Sequence, residues 1–290
     1  MSDSSGEGTT RLRVQCPDRP GVVSAVFDYL YRHGANILQA DQHSTSGEHP
    51  RFFLRVEYDL VNGNVPAAEV ATGFGDEVAG RFDMEWSVSY SSDRPRIAIL
   101  GTREPNCVLD LLWRARTGEL PAEIVMVLSN REILRPLADR FDVPFECLPV
   151  TRETKVEQEK QMLERLRGRV DLVVLARYMQ ILTPTFLDEF PRRVINIHHS
   201  FLPAFAGADP YGQAEERGVK IIGATAHYAT EDLDAGPIIE QDVLRVTHRD
   251  NRAELMRLGR ELERVVLARA VRWHVEDRVL VYGNKTVVFQ

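Results

Sequence analysis

Cysteine is scarce in this chain. Of 290 residues only Cys16, Cys107 and Cys147 carry thiols, and they are far apart, odd in number and never in a C-x-x-C pair. Such spacing offers neither a disulfide framework nor a cysteine-based zinc site, so the three read as core or half-buried thiols of a reducing, cytoplasmic setting. An excess of positive charge is also missing. Lys plus Arg number 36 against 43 Asp plus Glu, a formal net charge of −7 with a pI near 5.7, which argues against a non-specific nucleic-acid binder. No apolar run approaches the roughly 18 residues of a membrane-spanning helix, and the polar start lacks the apolar core of a signal peptide. The motifs G-x-x-x-x-G-K-S/T, H-E-x-x-H and G-x-S-x-G are absent, which removes the usual signatures of phosphate loops, zinc proteases and serine hydrolases.

With 43% hydrophobic and 27% charged residues, the chain has an ordinary globular composition, and at roughly 100–200 residues per domain its length predicts two domains. Residues 1–10 read as a frayed terminus. Residues 11–90 form a first domain. Leu12 and Val14 alternate as in a strand, and Pro17-Asp18-Arg19-Pro20-Gly21 is a turn. Val22, Val23, Val26, Phe27 and Leu30 then follow at helical spacing. Asn36 to Ser46 and Arg51 to Leu60 read as a hairpin, Pro66 opens a helix to about Gly80, and Phe82 to Val88 alternates as a last strand, giving βαββαβ. Residues 1–92 hold 7 basic and 13 acidic side chains, net −6, leaving the remainder at net −1. The acidity therefore belongs to the first domain, and charge alone does not bar the second from a nucleic-acid substrate.

Residues 91–95 are a linker by composition, and residues 96–290 form a second domain. Short apolar strands (Ile97–Leu100, Ile124–Leu128, Phe145–Leu148, Leu172–Ala176) alternate with helices from about Pro105, Arg131 and Thr151. That alternation is the signature of a doubly wound, mostly parallel α/β sheet. Val194 to His198, Ile221 to Tyr228 and Pro237 to Val246 continue the sheet. Asn251 to Trp273 reads as a long surface helix, and Arg278–Tyr282 with Thr286–Phe289 as a closing hairpin.

In open α/β sheets ligands bind beyond the carboxyl ends of strands, where Asn196, His198, His199 and Ser200 sit. Asn196 and His198, two apart on a strand, point the same way and can address one reacting group, while His199 faces elsewhere unless the strand has ended. The plainer alternative is that they only begin a loop. Thr230-Glu231-Asp232-Leu233-Asp234-Ala235-Gly236-Pro237 is a second candidate, or else a solvated acidic turn. If this loop meets His198, Asp234 favours the charged imidazole. His227 with Asp232 and Asp234 lacks a recognised ligand spacing and reads as a core histidine, so no metal is expected. Gly73 to Gly80 has the wrong glycine spacing for a cofactor loop.

Asn196-Ile197-His198-His199-Ser200-Phe201-Leu202-Pro203, then Gly223-Ala224-Thr225-Ala226-His227-Tyr228 and Leu233-Asp234-Ala235-Gly236-Pro237-Ile238-Ile239, resemble the folate-dependent formyltransferase fold over about Arg96 to Gln290. The resemblance implies a catalytic set of Asn196, His198 and Asp234, with no metal and no bound cofactor. It places a folate substrate against Arg177, Tyr178, Met179, Gln180, Ile181 and Leu182 and against Thr230, Glu231 and Asp232, with His199, Ser200 and Gly236 in support. The first domain resembles an ACT (ferredoxin-like) module. That implies a small amino-acid effector, methionine or glycine, near Asp18, Pro20, Gly21, Asn36 and Ile37, and a homo-oligomer built through these modules.

The two modules joined resemble the formyltetrahydrofolate deformylases. The likeness implies hydrolysis of 10-formyltetrahydrofolate to formate and tetrahydrofolate, a role in one-carbon balance and formate supply for purine biosynthesis, and no nucleic-acid or membrane partner. His199 and Gly207-Ala208-Asp209-Pro210-Tyr211 share it. Relatives that formylate glycinamide ribonucleotide carry a Gly-Ser-Gly phosphate turn. Here the turn reads Gly101-Thr102-Arg103-Glu104-Pro105-Asn106, in which Pro105 has no N–H and Glu104 opposes an anion. Methionyl-tRNA formyltransferase has a further domain for which this length leaves no room. A non-catalytic amino-acid sensor is a rival from another class, and the intact Asn196, His198 and Asp234 set favours the enzyme.

Overall fold

The computed structural model describes residues 8–60, 66–204 and 209–290, which fall into two compact units. Most of the expected frayed start and Gly207-Ala208 lie outside the described residues. The first unit comprises β1 (Thr10–Pro17), α1 (Val22–Arg32), β2 (Ala35–Ser44), β3 (Arg51–Leu60), α2 (Ala67–Glu77) and β4 (Glu85–Tyr90), in the expected βαββαβ order. Its antiparallel sheet runs β2-β3-β1-β4. Period-two burial of Leu12, Val14 and Cys16 supplies one face, on which the apolar stripe Val22, Val26, Tyr29 and Leu30 of α1 joins Phe74 of α2 in one core.

The other face of β3 is covered as well. Phe53 is fully buried with Leu280 and Phe289, and the buried Arg55 pairs with Glu57 at 2.7 Å and donates to the Glu276 carbonyl. Residues 276–282 and 287–290 accordingly belong to this unit and not, as expected, to the larger one. An apolar Phe53 beside a buried guanidinium needs a second covering layer, which the terminal strands provide.

The second unit begins at Arg94. It contains β5 (Arg96–Gly101), α3 (Asn106–Thr117), β6 (Glu123–Ser129), α4 (Arg135–Arg140), β7 (Phe145–Cys147), α5 (Lys155–Leu166), β8 (Leu172–Ala176) and α6 (Pro184–Glu189). After these come β9 (Val194–His198), α7 (Pro210–Arg217), β10 (Ile221–Tyr228), β11 (Ile238–Arg245) and α8 (Arg252–Val275). The sheet order is β11-β10-β9-β8-β5-β6-β7, parallel from β9 to β7, with β10 antiparallel to both neighbours. Strand order reverses between β5 and β8, so a crevice opens at their carboxyl ends. Two short helices were not anticipated. In α6 the Thr183 hydroxyl caps the Phe186 N–H before Pro184, and in α7 the Asp209 carboxylate caps the Gly212 N–H before Pro210.

Candidate active site

Strand register assembles the site. Asn196 and His198 lie on β9, whose antiparallel neighbour β10 sets His227 opposite Asn196. The Asn196 Nδ2 and His227 Nε2 are 3.2 Å apart, and His227 Nδ1 lies 3.0 Å from the Tyr228 carbonyl oxygen. A neutral ring with its proton on Nδ1 fits both contacts, donating to Tyr228 and accepting from Asn196. Burial holds the His227 pKa below the usual histidine value, in keeping with that neutral form.

The loop after β10 returns a carboxylate to this pair. Asp234 adopts left-handed backbone (φ 56°), which Asp tolerates, and its Oδ2 lies 3.2 Å from His198 Nδ1, with Oδ1 3.8 Å from His227 Nε2. The bond from His198 holds the Asp234 carboxyl below its ordinary pKa against the opposing effect of burial. His198 is buried, and its other nitrogen, Nε2, has no hydrogen-bond partner among the described residues. Gly236 permits the loop to close: a Cβ there would lie 1.9 Å from the Tyr228 carbonyl oxygen.

β9 ends at His198, so His199 leaves the strand alternation and lines the same cavity. Its pKa is pushed down to about 3, chiefly by burial and then by the nearby charges of Arg177 and His198. The turn beyond it is tied by buried hydrogen bonds. The Thr225 hydroxyl donates to the Ser200 carbonyl at 2.9 Å and accepts from the Leu202 N–H at 3.1 Å, while Gln241 Nε2 reaches the Leu202 carbonyl at 3.0 Å. Ser200 itself donates to the Ala204 carbonyl and so supports the turn rather than facing the cavity.

A cavity of about 330 Å³ opens here, within the size range of ligand sites. Arg177, Tyr178, Met179, Gln180, Ile181 and Leu182 all line it, as do Asn196, His198, Thr230 and Asp234. The Met179 N–H is anchored on the Thr102 hydroxyl at 3.0 Å, which ties this segment to the end of β5. Glu231 and Asp232 do not line it. Thr230 donates to the Asp232 carbonyl, and the turn so formed leaves both acidic residues exposed, against expectation. Among the described residues no group of His, Cys, Asp and Glu is arranged to hold a metal ion. The sequence pattern assigns no role to Thr225 or Gln241 and reads His227 as a core histidine. For His227 the only available signal was its place in the resemblance motif.

The five expected effector residues do not converge within one chain. Asp18, Pro20 and Gly21 follow Pro17, which pairs with Arg51, whereas Asn36 pairs with Asp59 at the other end of β3. About eight strand residues, roughly 27 Å, separate them.

Residues 95–271 match the formyl transferase family model and residues 10–61 the ACT domain model. A formyltetrahydrofolate deformylase of Bacillus subtilis (strain 168) is 52% identical, covering 98% of this chain and 94% of its own. The crystal structure of a formyltetrahydrofolate deformylase from Pseudomonas syringae pv. tomato superposes with a TM-score of 0.94 at 45% identity, over 99% of this chain and 96% of its own. A glycinamide ribonucleotide transformylase from Symbiobacterium toebii matches only 68% of this chain, with a TM-score of 0.64 at 31% identity. With relatives this similar along nearly its whole length, the chain belongs to the formyltetrahydrofolate deformylase family.

Proposed function

We propose that this chain hydrolyses 10-formyltetrahydrofolate to formate and tetrahydrofolate at the Asn196, His198 and Asp234 site. The observation that carries the reading is the hydrogen bond from His198 Nδ1 to Asp234 at the wall of a ligand-sized cavity, in a chain of the deformylase family. Water adds to the formyl carbon, the bond from that carbon to the ring-linked nitrogen breaks, and the nitrogen takes one of the water's protons. Formate leaves, and the second proton passes to solvent.

Asn196 donates to the developing oxyanion with the N–H that His227 does not use, a contribution worth roughly 3–4 kcal/mol where such donors have been removed elsewhere. Asp234 orients the His198 ring and aligns the attacking water, and His198 delivers the proton to the leaving nitrogen. The segment Tyr178–Leu182 and Thr230 form the folate-facing wall. No bound cofactor is needed in this scheme. Transfer to glycinamide ribonucleotide is disfavoured, because Pro105 supplies no N–H at the start of α3 and Arg260, the cation beside this turn, is already engaged by Glu104 at 3.0 Å.

An amino acid, methionine or glycine, regulates turnover through the ACT module, and two copies pair so that Asn36 and Ile37 of one complete the site begun by Asp18 to Gly21 of the other. The chain acts in the cytoplasm and supplies formate for purine biosynthesis. Incubation with 10-formyltetrahydrofolate without an amine acceptor tests the chemistry. Formate is expected from the wild type, and Asp234→Ala is expected to lower its release by about 10²–10⁴-fold. Absence of formate from the wild type rejects the reading, and methionine or glycine added to the same assay tests regulation.

A further inference from the structure

A buried charge cluster beside the cavity has no part in the mechanism above. Arg177 follows β8 in left-handed backbone (φ 61°), a conformation that strains a non-glycine residue and persists where its surroundings enforce it. Its side chain is only 15% exposed, and the residue is among those that line the cavity with His198. Facing it is Glu263 of α8, 2% exposed, with Oε2 at 3.5 Å from Arg177 Nε and Oε1 accepting from the Tyr211 hydroxyl at 2.6 Å. This ion pair leaves the guanidinium unsatisfied. Nε and Nη1 are both buried and have no hydrogen-bond partner among the described residues. A guanidinium has two bidentate edges, Nε with Nη2 and Nη1 with Nη2, so each edge carries an unpaired donor. Burying charged donors without partners is costly, which makes a polar guest the physical expectation.

The chemistry of the guest follows from the donor. A planar guanidinium matches a carboxylate in a way that a point charge does not. Hydrolysis of a formamide generates one carboxylate, the smallest there is, at the carbon beside His198. We propose that Arg177 is the formate-holding residue of this enzyme, and that Glu263, fixed by Tyr211, is a positioning residue whose opposing charge keeps formate from being trapped. His199, neutral at working pH, adds no second cation to the subsite. The proposal rests on the hydrolase reading.

Sodium formate is the probe, with sodium chloride at equal ionic strength as control. Formate should inhibit wild-type turnover, and Arg177→Gln should weaken that inhibition at least tenfold while inhibition by tetrahydrofolate changes less than twofold. Arg177→Lys, which keeps the charge and loses the planar edge, should fall between. Glu263→Gln, which still accepts from Tyr211, should shift formate inhibition the other way, tightening it severalfold. Opposite signs from the two partners are not expected of an ion pair that serves folding alone.

Unchanged formate inhibition in Arg177→Gln, or a common direction for both partners, overturns the proposal. A larger effect on tetrahydrofolate than on formate does so too, by making Arg177 a folate contact. Line broadening of ¹³C-formate with wild-type enzyme needs no turnover, so it separates failure of the subsite from failure of the hydrolase reading. If Arg177→Gln does not fold, the Lys and Glu263→Gln variants still decide the outcome.

Discussion

The two units handle distance along the chain in opposite ways. In the larger unit Arg177, His198 and Asp234, spread over 57 positions, meet at one cavity. In the smaller unit Gly21 and Asn36 are only 15 positions apart, yet they sit at opposite ends of one sheet. Connectivity explains both. β8 and β9 are parallel, so Arg177 and His198 follow strand ends on one edge of the sheet, and the loop after the antiparallel β10 carries Asp234 back to them. In the smaller unit β1 and β2 run the same way, each antiparallel to β3, so Gly21 follows the end of β1 while Asn36 stands at the start of β2, on the opposite edge. Convergence within one chain is thus a property of the formyltransferase-like unit and not of the ACT unit.

The sharpest way to break the convergence is to remove one member. Asn196→Ala is expected to lower kcat by about 10²–10³-fold, because a positioned oxyanion donor is lost, and single-turnover formate release measures it. A smaller loss would move the oxyanion elsewhere than Asn196. The converged site also carries a stability cost in acid. The folded pKa of His199, about 3, lies below its unfolded value of 6.5, so the unfolded chain binds the proton first as pH falls. Stability contributed by the neutral ring is unaffected above about pH 6.5 and is lost progressively below it, by about 3 kcal/mol at pH 4. Asp234, with its pKa lowered from 3.8, stabilises the fold above that value and loses this contribution only at lower pH. The two are therefore separable: His199→Gln should flatten the denaturation midpoint between pH 6.5 and 4 while leaving the deeper acid transition.

Much of this organisation is legible in the sequence, and what is not has physical causes. The buried parallel strands read as apolar runs because both faces are covered, and Asn196 with His198 stood out as polar residues at a strand end. His227 did not stand out, since one histidine on an apolar strand reads as core until the β9–β10 register sets it across from Asn196. The Arg177 and Glu263 pair is invisible for a similar reason: 86 positions separate them, and only packing of α8 on the sheet joins them. Helices α6 and α7, of 6 and 8 residues, are too short for a period to emerge. Their Thr183-Pro184 and Asp209-Pro210 starts were nonetheless readable as capping signals.

The smaller unit offers the gentlest test of the comparison. Gly21 holds φ +93° where β1 turns into α1, and a Cβ there would meet only the Phe82 ring at 3.9 Å. Space is therefore not the constraint, and the cost of Gly21→Ala is that of left-handed backbone alone, about 1–2 kcal/mol. Chemical denaturation should show that loss in the transition of the ACT unit. If the loss is instead absent, the turn has relaxed to negative φ. The Asp18 N–H, which donates to the Pro50 carbonyl at 2.8 Å, is then the contact to follow by hydrogen exchange, because it anchors the turn before α1 to the Arg51 end of β3.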